Sequence, residues 1–341
     1  MSGVSALREI GELEYESVEH PEAQSPRSVI TYGGSLLALC INAAYQTVTI
    51  KNDKMPAIYS VMGHYLGGGR VGSPVRLKVT LLRDTRTFAT RLILMSQTID
   101  GVDRICLSCT VDFIYQSPTP QQISTYWRAP SREVTHHSKL LEAEKHLEQD
   151  VKEGSISQKA ADAWRRWFGH RFTRLVLKPT PEGIAYYKWN GMVQRRKTGQ
   201  EPLHVTERRD FDWFKPREAL QYSAQAQNGA LLPPTALAAT AAFVAYELDA
   251  YLPALPLFFQ THTLADTASS SALDFALRFH QPNLNPDAWF LREFTSDVSA
   301  DERSYAQAHL WQEESDGSLS LIATMSQACI LRGKPPSQGK L

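Results

Sequence analysis

The feature that most constrains this chain is a repeated order of elements. In each half, a helix of small residues precedes four strand-like runs. Residues 34–47 (GSLLALCINAAYQT) carry the first helical pattern, and runs rich in Val, Leu, Ile, Thr and Tyr follow at 59–66, 75–83, 88–99 and 104–115. Turn signals separate the runs: Gly67-Gly68-Gly69, Asp84-Thr85 and the hairpin dipeptide Asp100-Gly101. The second half opens its helix at Pro233-Pro234, where the missing N–H would be unpaired anyway. That helix runs from 235 to about 251 and stops at Pro253 and Pro256. Its four runs lie at 272–280, 289–298, 304–313 and 318–331, the last pair joined by Ser315-Asp316-Gly317. The repeat lies in order, not in residue identity. One such unit buries little core alone, whereas two side by side can share one continuous sheet around two central helices.

The expected class is therefore α+β, with two antiparallel sheet-plus-central-helix repeats in one chain. At 341 residues there is room for two domains. The reading is an N-terminal domain at 1–117, a helical linker at 118–177, a C-terminal domain at 178–335 and a tail at 336–341. Within the linker, 138–152 has helical spacing, and Ser155 with Gln158 resembles a capping box opening a second helix that ends near Phe168. This polar middle reads as a strap between domains. The basic stretch 194–199 (QRRKTG) reads as a solvated loop.

Charge and cysteine content narrow the function. Lys+Arg and Asp+Glu both number 36, so the basic excess of a nucleic-acid binder is missing. Four cysteines, Cys40, Cys106, Cys109 and Cys329, are too few in so long a chain for a disulfide framework and fit a reducing, intracellular setting. The first twenty residues have no apolar signal core. The longest apolar stretches, near 35–44 and 236–245, are about half a membrane span, so no membrane partner is expected and the location reads as cytoplasmic. The terminal Gly339-Lys340-Leu341 resembles a peroxisomal S-K-L address with Gly for Ser, which keeps a peroxisomal location open.

Gly67, Gly69 and Gly72 have G-x-G-x-x-G spacing, but a strand pattern follows where a dinucleotide site needs a helix, so a hairpin loop is expected. Cys106 and Cys109 are an odd number apart in a strand and should face opposite sides. His136-His137 lacks further ligands at suitable spacing, so neither a metal nor a cofactor is expected. No G-x-S-x-G elbow is present. Gly33-Gly34-Ser35 precedes a helix, and glycines there allow close packing, while the helix amides could also face an oxyanion. Asp249 stands near the end of the Ala-rich helix on the face of Ala238, Ala242 and Ala245, where a carboxylate opposes the helix dipole and needs a partner or a task. Gln327 is an amide in an otherwise apolar strand, LIATMSQACIL, and needs hydrogen-bond partners.

These residues resemble the double hot-dog acyl-CoA thioesterases, the type II acyl-CoA thioesterase family. The first half resembles it through YGGSLLALCINAAYQTV and YSVMGHYLGGGRVGSPVRLKVTLLRDTRTFATR, the second through AYELDAYLP, SALDFALRFHQP and ATMSQACILRG. The resemblance implies a double hot-dog fold and attack of a water on a thioester carbonyl. That water is held by an Asp, a Ser/Thr and a Gln, with helix amides polarising the carbonyl. Asp249 takes the Asp place and Gln327 the Gln place. The Ser/Thr place falls on Ala272. Ser271, one residue earlier, is the candidate hydroxyl if a bulge re-phases the strand. Gly33, Gly34, Ser35, Met62, Ala272 and Phe275 fall at substrate-binding positions. Apolar Met62, Ala272 and Phe275 replace polar family residues there, as in a more hydrophobic cavity.

The function implied is hydrolysis of an acyl-CoA or a carrier-bound acyl or polyketide thioester. Two alternatives stand beside it: a hot-dog scaffold repurposed as a cyclase, isomerase or dehydratase on a hydrophobic biosynthetic intermediate, and a non-catalytic binding protein. The implied partners are the small-molecule thioester or intermediate, a carrier protein and a second copy of the chain, since such proteins commonly associate.

Overall fold

The computed structural model of the chain describes residues 5–23, 28–52, 54–117, 122–190, 192–193, 197–220, 235–260 and 262–334. Pro233-Pro234, the Gln194–Arg196 part of the basic loop and Gly339-Lys340-Leu341 lie outside them.

The strands are β1 (Leu7–Gly11), β2 (Glu14–Ser17), β3 (Pro56–Tyr65), β4 (Arg76–Asp84), β5 (Phe88–Ile99), β6 (Val102–Tyr115), β7 (Leu175–Pro179), β8 (Asp210–Pro216), β9 (Thr267–Ala272), β10 (Asp274–Phe279), β11 (Phe290–Ala300), β12 (Arg303–Glu313) and β13 (Leu319–Gly333). The helices are α1 (Gly33–Tyr45), α2 (Ala143–Lys152), α3 (Gln158–Phe168), α4 (Ala185–Lys188), α5 (Ala236–Leu248) and α6 (Leu255–Phe259). Among the described residues, all strands join one sheet in the order β1-β2-β4-β5-β6-β3-β10-β13-β12-β11-β8-β7, with β9 also on β13. The halves meet at β3 and β10, which pair antiparallel from Asp274 opposite His64 to Arg278 opposite Ser60. This is the α+β arrangement of two sheet-plus-central-helix repeats that the element order implies, and the double hot-dog that the resemblance implies.

The helices α1 and α5 pack against each other inside the curved sheet. Both are built of small residues, and Ala38, Ala43, Ala44, Ala238, Ala241, Ala242 and Ala245 are all buried. Short side chains let the two backbones approach, and the aliphatic and aromatic inner face of the sheet closes around them. The segment Ala236–Phe259 has the length and apolarity of a membrane span, beyond the ten-residue stretch read from the sequence, but it is 94 % buried inside this fold.

Several boundaries differ from the sequence reading. The first-half glycine loop is not a hairpin. It carries the chain from β3 to β4, which are not neighbours in the sheet. The cap of α3 is Ser157, whose hydroxyl accepts from the Ala160 N–H, and not Ser155. The flanking pairs β1/β2 and β7/β8 carry no clear alternation in sequence, and β7 crosses the 177/178 boundary. The run 272–280 is two strands. Ala272 pairs with Cys329 and Ala276 with Ser326, so four steps on one side oppose three on the other. The extra residue is a bulge at Leu273-Asp274. Its groups are satisfied: the Leu273 N–H donates to Ala328 O (2.8 Å), the Ala328 N–H to the Asp274 carboxylate (2.8 Å), and the Tyr65 N–H to Leu273 O (3.0 Å).

The strap lies flat on the outer face of the second half's sheet. There Phe211, Trp213, Leu291, Trp311 and Leu321 form a second apolar cluster, against which Val134 and Leu140 pack. Indole N–H groups pin the strap, Trp311 donating to Arg128 O (2.8 Å), Trp213 to Thr135 O (3.0 Å) and Trp127 to Leu319 O (2.9 Å). Glu293, fully buried on this face, accepts from the Ser131 N–H (3.0 Å) and pairs with Arg209 (3.2 Å).

Candidate active site

Asp249 is the C-terminal cap of α5. The chain then turns at Tyr251, whose φ of 73° is a left-handed conformation costing about 1–3 kcal/mol for a side chain of this size. The Arg171 guanidinium lies over the Tyr251 ring at 4.6 Å and holds it there. This turn stops the helix with the Asp249 carboxylate aimed at the start of α1. Asp249 Oδ1 accepts from Gln327 Nε2 at 2.6 Å and from the Tyr65 hydroxyl at 2.8 Å. The Gly34 N–H is a third donor to the carboxylate. Burial pushes the Asp249 pKa up to about 6 against the pull of those three donors.

The two glycines are required by crowding. A Cβ on Gly33 would stand 2.6 Å from the Tyr65 hydroxyl oxygen and 2.7 Å from Asp249 Oδ2. One on Gly34 would stand 2.7 Å from Tyr246 O and from the Tyr32 ring. The Ser35 N–H donates to Tyr32 O (3.1 Å), and its hydroxyl donates to the same carbonyl (2.8 Å). With the Ser35 amide held on Tyr32, the Gly33 N–H at the start of α1 has no acceptor among the described residues.

A cavity of about 510 Å³ opens beside Asp249, within the ordinary size of a small-ligand site. Tyr65, Gly33, Leu36 and the glycine loop line one side, and residues 268–273 line the other. The wall is mixed, with Ser28, Thr31, Ser269 and Ser270 among Ile30, Leu66 and Leu273. Gln97, nearly fully buried, shapes the loop: it accepts from the Arg70 N–H (2.7 Å) and donates to Arg70 O (2.8 Å) and Ser73 O (2.9 Å).

The sequence-derived residues thus separate. Asp249, Gln327, Gly33 and Gly34 come together. Ala272 pairs with buried Cys329 and so shares the inward face of Gln327. Ser271 lies in the cavity wall but does not turn toward Gln327. It pairs with Ile330 on the opposite face, is exposed, and reaches only Ala272 O at 3.4 Å. The bulge does occur, but after Ala272, so it re-phases Phe275 and leaves Ser271 turned away. Met62 is 38 % exposed on the outer face of β3, with the Arg278 guanidinium 3.5 Å from its sulfur, and does not line the cavity. Phe275 is buried against the Tyr65 ring, 5.1 Å between centroids. The expected hydrophobic lining by Met62 and Phe275 is therefore not what the cavity has. Glu247, two residues before Asp249, is buried and paired with Arg171 and Arg292.

Tyr65 went unnoticed in the sequence. Its signal was parity: counting by twos from buried Val61 puts Tyr65 inward and Met62 outward. His136 and His137 gain an unforeseen partner, Glu313, whose two oxygens take their Nε2 atoms at 2.6 and 2.9 Å. The two rings lie 4.0 Å apart, tilted at 39°, and His137 stacks on Trp289 at 4.3 Å, so the group clasps the strap to β12. The Cys106 and Cys109 thiols are free and buried, as are Cys40 and Cys329.

Residues 20–114 match the acyl-CoA thioesterase N-terminal domain, and residues 172–331 match the acyl-CoA thioesterase C-terminal domain. Among solved structures, the chain resembles the tesB protein of Mycobacterium avium subspecies paratuberculosis at 17 % identity and a TM-score of 0.60, covering 98 % of this chain and 97 % of that one. It resembles the acyl-CoA thioesterase II TesB2 of Mycobacterium marinum at 16 % identity and a TM-score of 0.61, covering 99 % and 98 %. A hot-dog protein of unknown function from Alicyclobacillus acidocaldarius is similar at 13 % identity and a TM-score of 0.60, covering 98 % of each chain. No curated protein matches. At these identities the structural neighbours speak to the fold.

Proposed function

This chain belongs to the acyl-CoA thioesterase family, and from that premise we propose that it hydrolyses an acyl thioester by water that Asp249 activates and Gln327 helps to orient. The observation that carries the reading is the buried Asp249 carboxylate, hydrogen-bonded to Gln327 at 2.6 Å on the wall of a cavity. A carboxylate with a pKa near 6 is ionised at neutral pH yet more basic than an exposed one, which suits a general base. Asp249 takes a proton from water as the water oxygen bonds to the thioester carbon. The oxyanion that forms is met by the Gly33 N–H at the start of α1, rather than by the Gly34 and Ser35 amides. Collapse breaks the C–S bond, and the proton on Asp249 passes to the departing thiolate, giving acid and free thiol. Gln327 Oε1 is buried with no donor against it, and a water O–H satisfies such an acceptor.

The mixed cavity wall favours a substrate with an apolar acyl chain and a polar arm, as both CoA and carrier-bound pantetheine thioesters have. Free-thiol release from a panel of acyl-CoA and carrier-bound thioesters, with Asp249→Asn as control, tests the reading. Release that survives Asp249→Asn removes Asp249 from the mechanism. Ala272 favours a second reading, because the β9 position opposite Cys329, beside Gln327, carries a methyl group and no hydroxyl. There the same acid would act on a thioester-free intermediate, with product formed and no thiol released.

A further inference from the structure

We propose that Tyr65 is the positioning residue of the Asp249 carboxylate: it occupies Oδ1 together with Gln327 and so leaves Oδ2 as the oxygen that receives the proton. The proposal rests on Asp249 acting as the base.

The geometry is specific. The Tyr65 hydroxyl donates to Asp249 Oδ1 at 2.8 Å, and Gln327 Nε2 donates to the same oxygen at 2.6 Å. An oxygen that already accepts two short hydrogen bonds is a poor proton acceptor. The other oxygen, Oδ2, lies against Gly33, 2.7 Å from where a Cβ would stand, and carries neither of these two side-chain hydrogen bonds. Tyr65 is fixed at three points. Its N–H is held by Leu273 O at the bulge (3.0 Å), its ring packs on Phe275 at 5.1 Å, and its hydroxyl lies on Asp249. The bulge that turns Phe275 inward thus seats the ring that orients the acid. Ala272 presents only a methyl group to that face, so the hydroxyl on the acid is delivered by β3 of the other half.

The titratable groups facing Asp249 from its surroundings are Tyr32 before α1, Tyr65 on β3 and Cys329 on β13. Burial raises the pKa of each, and Cys329 is pushed up to about 12. All three are neutral at pH 7. The fixed charges behind Tyr32 are Arg171 and Glu247, which pair with each other. Burial and the hydrogen bonds that oppose it, and not a neighbouring charge, therefore set the protonation of Asp249.

The test uses Tyr65→Phe in the full chain, which keeps the ring on Phe275 and removes the hydroxyl. The readout is the Asp249 carboxyl carbon, followed by NMR in protein labelled at aspartate and assigned by its loss in Asp249→Asn. Loss of one donor is expected to raise the Asp249 midpoint by about one pH unit. The acid limb of the thiol-release profile should move up equally. Turnover should then fall about tenfold below pH 6 and recover by pH 8, with KM changed less than twofold. A midpoint that does not move overturns the proposal, as does a turnover loss independent of pH. A midpoint that moves in a protein with no thiol release on any thioester upholds the positioning and refutes hydrolysis, so the two failures are distinguishable.

Discussion

The two halves share an order of elements and differ in what lies on each face of the sheet. In the first half nothing among the described residues covers the outer face, with Met62, Leu94 and Ile105 at 38 %, 36 % and 48 % exposure. In the second half it is roofed by residues 122–142, and Trp311, Leu291 and Phe211 beneath are nearly fully buried. The inner faces differ in chemistry. The first half contributes donors and space: the Gly33 and Gly34 amides, the Tyr65 hydroxyl and the glycine loop. The second half contributes the acid and its amide, Asp249 and Gln327. A duplicated scaffold has therefore divided its labour, and the half with the costly buried carboxylate is also the half with the extra apolar layer.

The comparison breaks first at Asp249. Asp249→Asn is expected to lower thiol release by about 10²- to 10⁴-fold, the usual contribution of a positioned base, and to raise the thermal midpoint. Its pKa is raised from 3.8 to about 6, so the folded chain binds a proton that the unfolded chain has released. The Asp249 contribution to stability is then fully present below about pH 4 and is lost as pH rises toward 6, by at most about 3 kcal/mol. Denaturant unfolding at pH 4 and 7 should show a larger loss in the wild type than in the variant, where buried Asp210, raised to about 7, still titrates. The acid limb of the wild-type rate profile should have its midpoint near pH 6.

Next comes the roof. Trp311→Ala should destabilise the chain by about 3–5 kcal/mol in denaturant unfolding, whereas Met62→Ala on the bare face should stay within about 0.5 kcal/mol. Equal losses would mean that the two outer faces are equally important to folding. A smaller effect is expected at Gly33→Ala. The new methyl must displace Tyr65 or Asp249, costing about 1–3 kcal/mol of stability, with thiol release lowered at unchanged substrate affinity. Smallest is Ser271→Ala, expected to change turnover less than twofold because its side chain faces away from Gln327.

Much of this was legible in the chain itself. Periodicity placed α1, α5 and eight of the strands, because small-residue helices and alternating runs bury one face each. Asp249 and Gln327 were conspicuous because polar groups in apolar elements need partners. What was hidden depends on parity and on contacts far apart in sequence. The bulge at Leu273-Asp274 has no local signature, yet it decides that Phe275 turns inward. Counting along the family pattern led to Met62, while the alternation of β3 led three residues on to Tyr65. The pairing of buried Glu247 with Arg171 and Arg292 was likewise hidden, because both partners are distant in the chain. The short strands β7 and β8 were hidden because both of their faces are covered, which erases alternation.

The roof also bears on how the protein could be cut. Residues 122–142 are separate from the second half in sequence but are its lid in space, pinned by three indoles. A fragment begun at residue 178 would lose half of β7 and leave the tryptophans of that face wet, a sticky surface prone to self-association. A fragment begun near residue 122 would keep that surface dry. Proteolytic nicking within 122–135 should accordingly expose a dye-binding patch on the second half while the first half keeps its fold.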